Sequence, residues 1–197
     1  MRDPWKPLLA IGVCCFGVVG LLSGRPIEHP PGVLVDREPL QTSTQAAAFN
    51  IDEFLVTPRA NFDIAARVLS VERYKVGTDA RLSPVDFAVG WGAMSDSAVL
   101  DHFRITQGAR FFTIYPDAQA INLRAALRGA TNMHLIPADD DVRDRLGTVR
   151  AGHIVRLRGV LVDISGPDGY TWHTSLTRND TGAGACELFY VESVDKE

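Results

Sequence analysis

The chain has 197 residues, of which 46% are hydrophobic and 22% are charged. This length and composition are typical of a folded protein with a core, and they exclude a disordered chain. The net charge of −4, without a run of Lys and Arg residues, argues against nucleic acid as a partner.

Residues 1–24 are predicted to be a membrane anchor or a signal segment. The run 8–23 is apolar and uncharged, with Arg2 and Lys6 before it and Arg25 after it. As a helix it would span about 24 Å, short of the ~30 Å hydrocarbon core of a bilayer, a length that suits either a signal-peptide core or a short membrane anchor. The run ends without the small-residue pair that signal cleavage needs, so we predict an uncleaved single-pass anchor, with a cleaved signal as the alternative. The charge bias places the amino terminus in the cytoplasm, the anchor in the inner membrane and the remaining chain in the periplasm or outside the cell.

Residues 25–45 are predicted to be a linker. The segment holds Pro26, Pro30, Pro31 and Pro39, and prolines favour extended, stiff backbone. It would hold a single extracytoplasmic α+β domain, residues 46–197, away from the bilayer.

The first part of that domain is predicted to be a strand followed by two short helices. The stretch "FDIAARVLSVERY" (62–74) alternates apolar and polar residues, and its slip at Val68 indicates a bulge. In "LSPVDFAVGWGAM" (82–94), Ser83 as N-cap and Pro84 at the first position predict a buried helix that carries Trp91. The stretch "MSDSAVLDHF" (94–103) predicts another helix, capped by Ser95.

The middle of the domain is predicted to alternate strands and helices. Two strands, "FRITQ" and "RFFTIYP", are joined at Gly108, and 117–129 is a helix candidate. An extended "TNMHLIPA" follows. Asp139, Asp140 and Asp141 then begin a helix, where carboxylates are favoured by the helix dipole. They lack the spaced loop and the glycine of a calcium site.

The last quarter predicts a small antiparallel β-barrel of the OB-like or SH3-like kind. The stretch "HIVRLRGVLVDI" (153–164) becomes apolar on both faces after Gly159, as a sharply bent barrel strand requires. "YTWHTSLT" (170–177), with Trp172 on the inner face, and "CELFYVESV" (186–194) complete a three-stranded meander.

The stretch "TWHTSLTRNDTGAGACE" (171–187) holds the densest set of chemically active side chains. As a hydrolase site it would use the residues His173, Ser175, Arg178, Asp180 and Glu187. A serine nucleophile needs a histidine within about 3 Å, and two residues of one strand face lie about 7 Å apart at Cα. We favour the reading of a strand end and a turn, because Asn and Asp before Gly are ordinary turn residues.

No metal and no cofactor are predicted. The histidines share no HExxH or CxxC spacing, and "TGAGA" lacks the third glycine and the following helix of a nucleotide loop. A site assembled in space from His102, His134 and His173 is the open alternative.

The blocks "VGWGAMSD" (89–96), "NMHLIPA" (132–138) and "WHTSLTRNDTGAGACE" (172–187) resemble those of uncharacterised membrane-anchored proteins of Proteobacteria. The resemblance covers most of 62–194 and implies a membrane location and one domain, without an activity. We therefore predict a membrane-tethered, envelope-facing accessory or binding module without catalysis, whose partner is another envelope protein. The alternative is a hydrolase of a phosphoester or an envelope polymer.

Overall fold

The computed structural model describes residues 25–117, 128–177 and 185–197. The predicted anchor and most of the helix predicted over 117–129 lie outside these ranges. In the described ranges, no helix combines the length and the hydropathy needed to cross a membrane.

The described chain is mostly β, with short helices, and so fits the predicted α+β class loosely. Its strands and helices, in chain order, are β1 (Leu40–Thr42), β2 (Phe49–Ile51), β3 (Phe54–Arg73), α1 (Thr78–Leu82), β4 (Val85–Gly90), α2 (Ser97–Leu100), β5 (Phe103–Gly108), β6 (Phe111–Pro116), β7 (Ala130–Pro137), α3 (Asp140–Gly147), β8 (Ile154–Ser165), β9 (Thr171–Trp172) and β10 (Glu187–Lys196). Two 3₁₀ turns, Gly92–Ser95 and Pro167–Gly169, complete the set.

Five strands form a closed ring in the order β3-β4-β7-β10-β8, because β8 also pairs with β3. The β7–β10 pair is parallel and the other four pairs are antiparallel. The sequence predicted an antiparallel barrel built from the C-terminal part of the domain alone, and this prediction is wrong in both respects. It draws strands from both halves of the domain and contains a parallel pair.

The length of β3 allows it to close the ring. Its 55–67 stretch pairs with β8, and its 67–73 stretch pairs with β4. The register shifts between Pro58 and Ala60 and again between Val68 and Ser70, and such irregularities bend a strand. The predicted bulge near Val68 is therefore confirmed.

Two apolar clusters lie on opposite faces of β8 and β10. The barrel interior holds Phe62 and Phe189, edge to face with ring centroids 5.3 Å apart, together with buried Leu157. The outer cluster includes Val162 and Leu188, covered by residues of β3 and by Trp172. The apolar residues on both faces of β8 after Gly159 thus pack into two separate clusters, one inside the barrel and one outside it. Trp172 lies in the outer cluster, which contradicts its predicted place on the inner face.

The helix predicted in 82–94 is wrong, because Val85–Gly90 is strand β4 with every residue buried. A short, continuous apolar run is compatible with a buried strand or a buried helix, and periodicity alone does not separate them. Trp91, just after the strand, is buried as predicted. The next helix is only Ser97–Leu100, and its cap is Asp96, not Ser95. Helix α3 is confirmed, with Asp139 accepting from the Val142 N–H at 2.8 Å.

The proline-rich segment lies against the barrel instead of standing away from it. Val35 is buried in the core, its carbonyl accepts from the Gly92 N–H at 2.7 Å, and β1 pairs with β3. The Ile27 N–H donates to the Ala151 carbonyl at 2.9 Å. Extended proline-rich backbone can either pack along the surface of a domain or serve as a free linker. Composition alone does not distinguish these two cases.

Candidate functional site

A buried acid and a buried histidine lie side by side on the outer face of the barrel. Asp86 on β4 is paired in register with His134 on β7. Their neighbours Phe87 and Leu135 enter the barrel core, so alternation turns Asp86 and His134 outward. Both are buried, and Nδ1 of His134 lies 3.0 Å from Oδ2 of Asp86.

Arg110 reaches this pair from the turn between β5 and β6. Ala109 and Arg110 have φ of 50° and 70°, the left-handed conformation of a tight hairpin turn. Nη1 of Arg110 donates to Oδ1 of Asp86 at 2.7 Å, and Nη2 donates to the Ser83 carbonyl at 2.9 Å. The carboxylate of Asp86 therefore lies between a guanidinium and an imidazole, and its hydrogen-bonded ion pair with Arg110 compensates for its burial.

Aromatic rings enclose the guanidinium of Arg110. It lies 3.7 Å from the ring centre of Tyr74 and 5.4 Å from that of Trp172. Trp172 also contacts His134, with ring centroids 4.9 Å apart. The Arg110 N–H donates to the Tyr74 hydroxyl at 2.9 Å, and burial raises the pKa of Tyr74. Tyr74 thus stays neutral and holds the turn in place.

Asn132 connects the β5–β6 hairpin to β7. Its Nδ2 donates to the Arg110 carbonyl at 3.1 Å, and its Oδ1 accepts from Nε2 of Gln107 at 2.7 Å. The same Nδ2 lies 3.6 Å from Sγ of Cys186. These contacts fix the hairpin, and with it Arg110, against the barrel.

A cleft of about 300 Å³ opens beside this network. Its lining residues are Asp79, Arg110, Phe111, His134, Thr171, Trp172, His173 and Cys186. The Tyr170 hydroxyl donates to Oδ1 of Asp79 at 2.7 Å. Burial and Asp79 raise the pKa of Tyr170 well above its usual range. Tyr170 is therefore a permanent donor that orients the Asp79 carboxylate.

The residues predicted for a hydrolase site have different partners in the structure. His173 is 68% exposed at its side chain, and its Nδ1 lies 3.4 Å from Oδ2 of Asp163. Ser175 is buried and donates to the Thr177 carbonyl at 2.8 Å. His173 lines the cleft, while the Ser175 hydroxyl is directed at the main chain.

The other residues predicted for the hydrolase site are Glu187, Arg178 and Asp180. Glu187 is buried at the start of β10 and accepts a hydrogen bond from the Thr131 hydroxyl. Arg178 and Asp180 lie outside the described residues. A catalytic role for the set stays a prediction.

The three histidines of the alternative metal site each face a different carboxylate. His102 lies 3.1 Å from Asp117, and the other two face Asp86 and Asp163. Among the residues described, no group of three or more His, Cys, Asp or Glu side chains is arranged to hold a metal ion.

Sequence reasoning missed Asp86 and Arg110. Asp86 is an acidic residue within the apolar run "VDFAVG". Since buried carboxylates are rare without a partner, a strand reading of that run would have singled it out. Arg110 follows Gly108–Ala109 in a turn, and nothing local in the sequence links it to β4.

No family model, no curated protein and no solved structure matches the chain. The resemblance to membrane-anchored proteobacterial proteins therefore stays a prediction, and any function has to be argued from the cleft itself.

Proposed function

We propose that the protein is a membrane-tethered, envelope-facing binding module without catalytic activity, and that the cleft beside Asp86 and His134 is its ligand site. The observation that carries this proposal is the Arg110–Asp86–His134 network. It fixes two cleft-lining side chains through a fully buried carboxylate. Groups held in place before a ligand arrives lose little conformational entropy on binding.

The barrel supports the same proposal. Its five-stranded ring, with α3 between the third and fourth strands, is in our reading an OB-like arrangement. OB-like barrels bind oligomeric ligands on the face of their second and third strands. In this chain those strands are β4 and β7, which carry Asp86 and His134.

Location and partner belong to the proposal as well. The uncharged run 8–23 would anchor the chain in the inner membrane, with the domain in the periplasm or outside the cell. Another envelope protein would be its partner. A reporter fused to the C-terminus and active only outside the cytoplasm should be active, and a reporter active only inside would contradict this placement.

One observation favours a second candidate function, a thiol-dependent hydrolase. His134 and Cys186 line the same cleft. Because Nδ1 of His134 faces Asp86, its Nε2 is the nitrogen available to the cleft. An acid that orients a histidine beside a thiol is the usual arrangement of a cysteine nucleophile. We rank it second because the thiol contacts Asn132 and the Arg110 carbonyl.

Ligand-dependent stability tests the first candidate. The full chain is melted with a panel of small saccharides, carboxylates, phosphates, amino acids and nucleosides. A ligand of the folded state at 100 times its Kd adds about 2.7 kcal/mol to the free energy of unfolding. We expect at least one class to raise the Tm and to lose this effect in His173→Ala. A panel without any stabilising member would contradict a ligand site in the cleft.

A further inference from the structure

We propose that the ligand of the cleft is a neutral saccharide unit. This inference rests on the proposed binding function and names the chemistry of its ligand. It depends on three properties of the lining: its charge, its exposed aromatic surface and its mixture of hydrogen-bond donors and acceptors.

The charge of the lining disfavours an anionic ligand. The guanidinium of Arg110 is already paired with Asp86 at 2.7 Å. Asp79, also in the lining, holds a carboxylate that accepts a hydrogen bond from the neutral Tyr170 hydroxyl. A phosphate or carboxylate entering the cleft would therefore meet a compensated cation and a further negative charge.

The charge also disfavours a cationic ligand. A positive group drawn to Asp79 would share the cleft with Arg110, whose guanidinium already covers the ring of Tyr74 at 3.7 Å from its centre. That ring face is one that a cationic ligand would otherwise use. A neutral molecule avoids both conflicts.

The aromatic rings provide an apolar wall. Phe111 is 48% exposed, and Trp172 is partly exposed beside it in the lining. An exposed Phe at a tight hairpin turn leaves apolar surface in water, which a bound ligand would cover. Sugar rings present a face of C–H groups that suits such a wall.

The polar groups of the lining match hydroxyl groups. Asp79 accepts hydrogen bonds, Thr171 both donates and accepts, and Nε2 of His134 and of His173 can do either. Each sugar hydroxyl is likewise a donor and an acceptor. The volume of about 300 Å³ lies at the lower end for ligand pockets, which suits one or two sugar units.

The test is calorimetric titration of the full chain in a detergent without a sugar headgroup, since a maltoside would compete. The probes are the tetramers of N-acetylglucosamine and of glucose, with inorganic phosphate and citrate as anionic probes. At least one tetramer should bind, and Asp79→Asn and Trp172→Ala should each weaken its binding about tenfold or more. Tyr115→Ala is the matched control, an aromatic residue 44% exposed on β6, and it should keep the affinity.

The possible results separate a failure of the saccharide inference from a failure of the binding function on which it rests. Binding of phosphate or citrate in the cleft without binding of either tetramer would overturn the saccharide inference and would be consistent with the binding function. Tetramer binding that survives both cleft substitutions would place the sugar elsewhere and overturn the inference. If none of the probes produces heat of binding, the saccharide inference is wrong. The binding function itself is tested separately by the wider panel of ligands in the melting experiment. Asp79→Asn keeps the argument testable if Trp172→Ala fails to fold.

Discussion

At the scale of single residues, the site depends on how one buried carboxylate is compensated. Asp86 is fully buried and faces Arg110 and His134 at 2.7 and 3.0 Å. Ion pairs of this kind add little over an apolar core, yet removing one partner leaves the other buried and unpaired. Asp86 is thus a positioning residue for the cleft and also a condition for the stability of the fold.

The first prediction is that Asp86→Asn lowers the free energy of unfolding by about 3 kcal/mol, because Arg110 keeps its charge and loses its counterion. Urea unfolding of the full chain measures this loss. Asp140→Asn is the matched control, since its side chain is fully exposed and its pairing with Arg143 is 3.7 Å long; it should change stability by about 0.5 kcal/mol or less. Equal midpoints for Asp86→Asn and the wild type would mean that Asp86 is not buried as described.

A second residue-scale prediction concerns pH. Burial, reinforced by Lys196 and Arg150, holds the pKa of His153 below its usual range. Its Nδ1 also accepts the Arg150 N–H at 3.1 Å, a bond that a proton on Nδ1 would break. The unfolded chain therefore takes up this proton first, and stability falls as the pH drops below about 7 and through the lowered pKa.

In His153→Asn the side-chain carbonyl can accept the same N–H without titrating. We expect this variant to lose less stability than the wild type between pH 7 and pH 5, measured by chemical unfolding at each pH. Parallel losses in the two proteins would show that His153 does not contribute to the pH dependence.

At the scale of elements, pattern alone predicted the half-buried and capped segments. The strand 62–74, its bulge near Val68 and helix α3 with its aspartates all follow from local periodicity and capping. Pattern alone misassigned the run 82–94 as a helix. The residues of β4 within it are buried on both faces of the sheet, so the run shows no alternation of apolar and polar residues. The pair Ser83–Pro84 is compatible with the start of a helix and equally with extended backbone that leads into a buried strand.

The third prediction tests the bend of β8. Gly159 has φ of 157°, and a Cβ there would clash with the Tyr190 carbonyl oxygen, beside the register shift of β10 between Val191 and Ser193. Gly159→Ala should therefore destabilise the protein by more than about 1 kcal/mol. Gly108→Ala is the control, because a Cβ at Gly108 meets nothing within 4 Å. If the two variants unfold at the same urea concentration, β8 and β10 do not approach closely at Gly159.

At the scale of the whole molecule, the sequence predicted a barrel but not its composition. β3 and β8 pair across about one hundred residues, and the parallel β7–β10 pair joins segments between which α3, β8 and β9 lie in the chain. No local signal reports such pairings, so the strands of the first half were not assigned to the barrel. The site followed the same limit: Ser83, Asp86, Arg110, His134 and Trp172 come from four separate segments. The window 171–187 contributes Thr171, Trp172, His173 and Cys186 to the lining of the cleft, but neither Asp86 nor Arg110 of the buried network.

Hydrolytic turnover by the full chain tests the central claim, a binding module without catalysis, most directly. Activity is measured on ester, thioester, phosphoester and glycoside substrates for the wild type, Cys186→Ser and His173→Ala, beside their melting curves. The account predicts no turnover above background in any of the three proteins. It also predicts little change in the Tm of His173→Ala, whose side chain is 68% exposed. Turnover by the wild type that disappears in either variant at an unchanged Tm would contradict the account and establish the cleft as an active site.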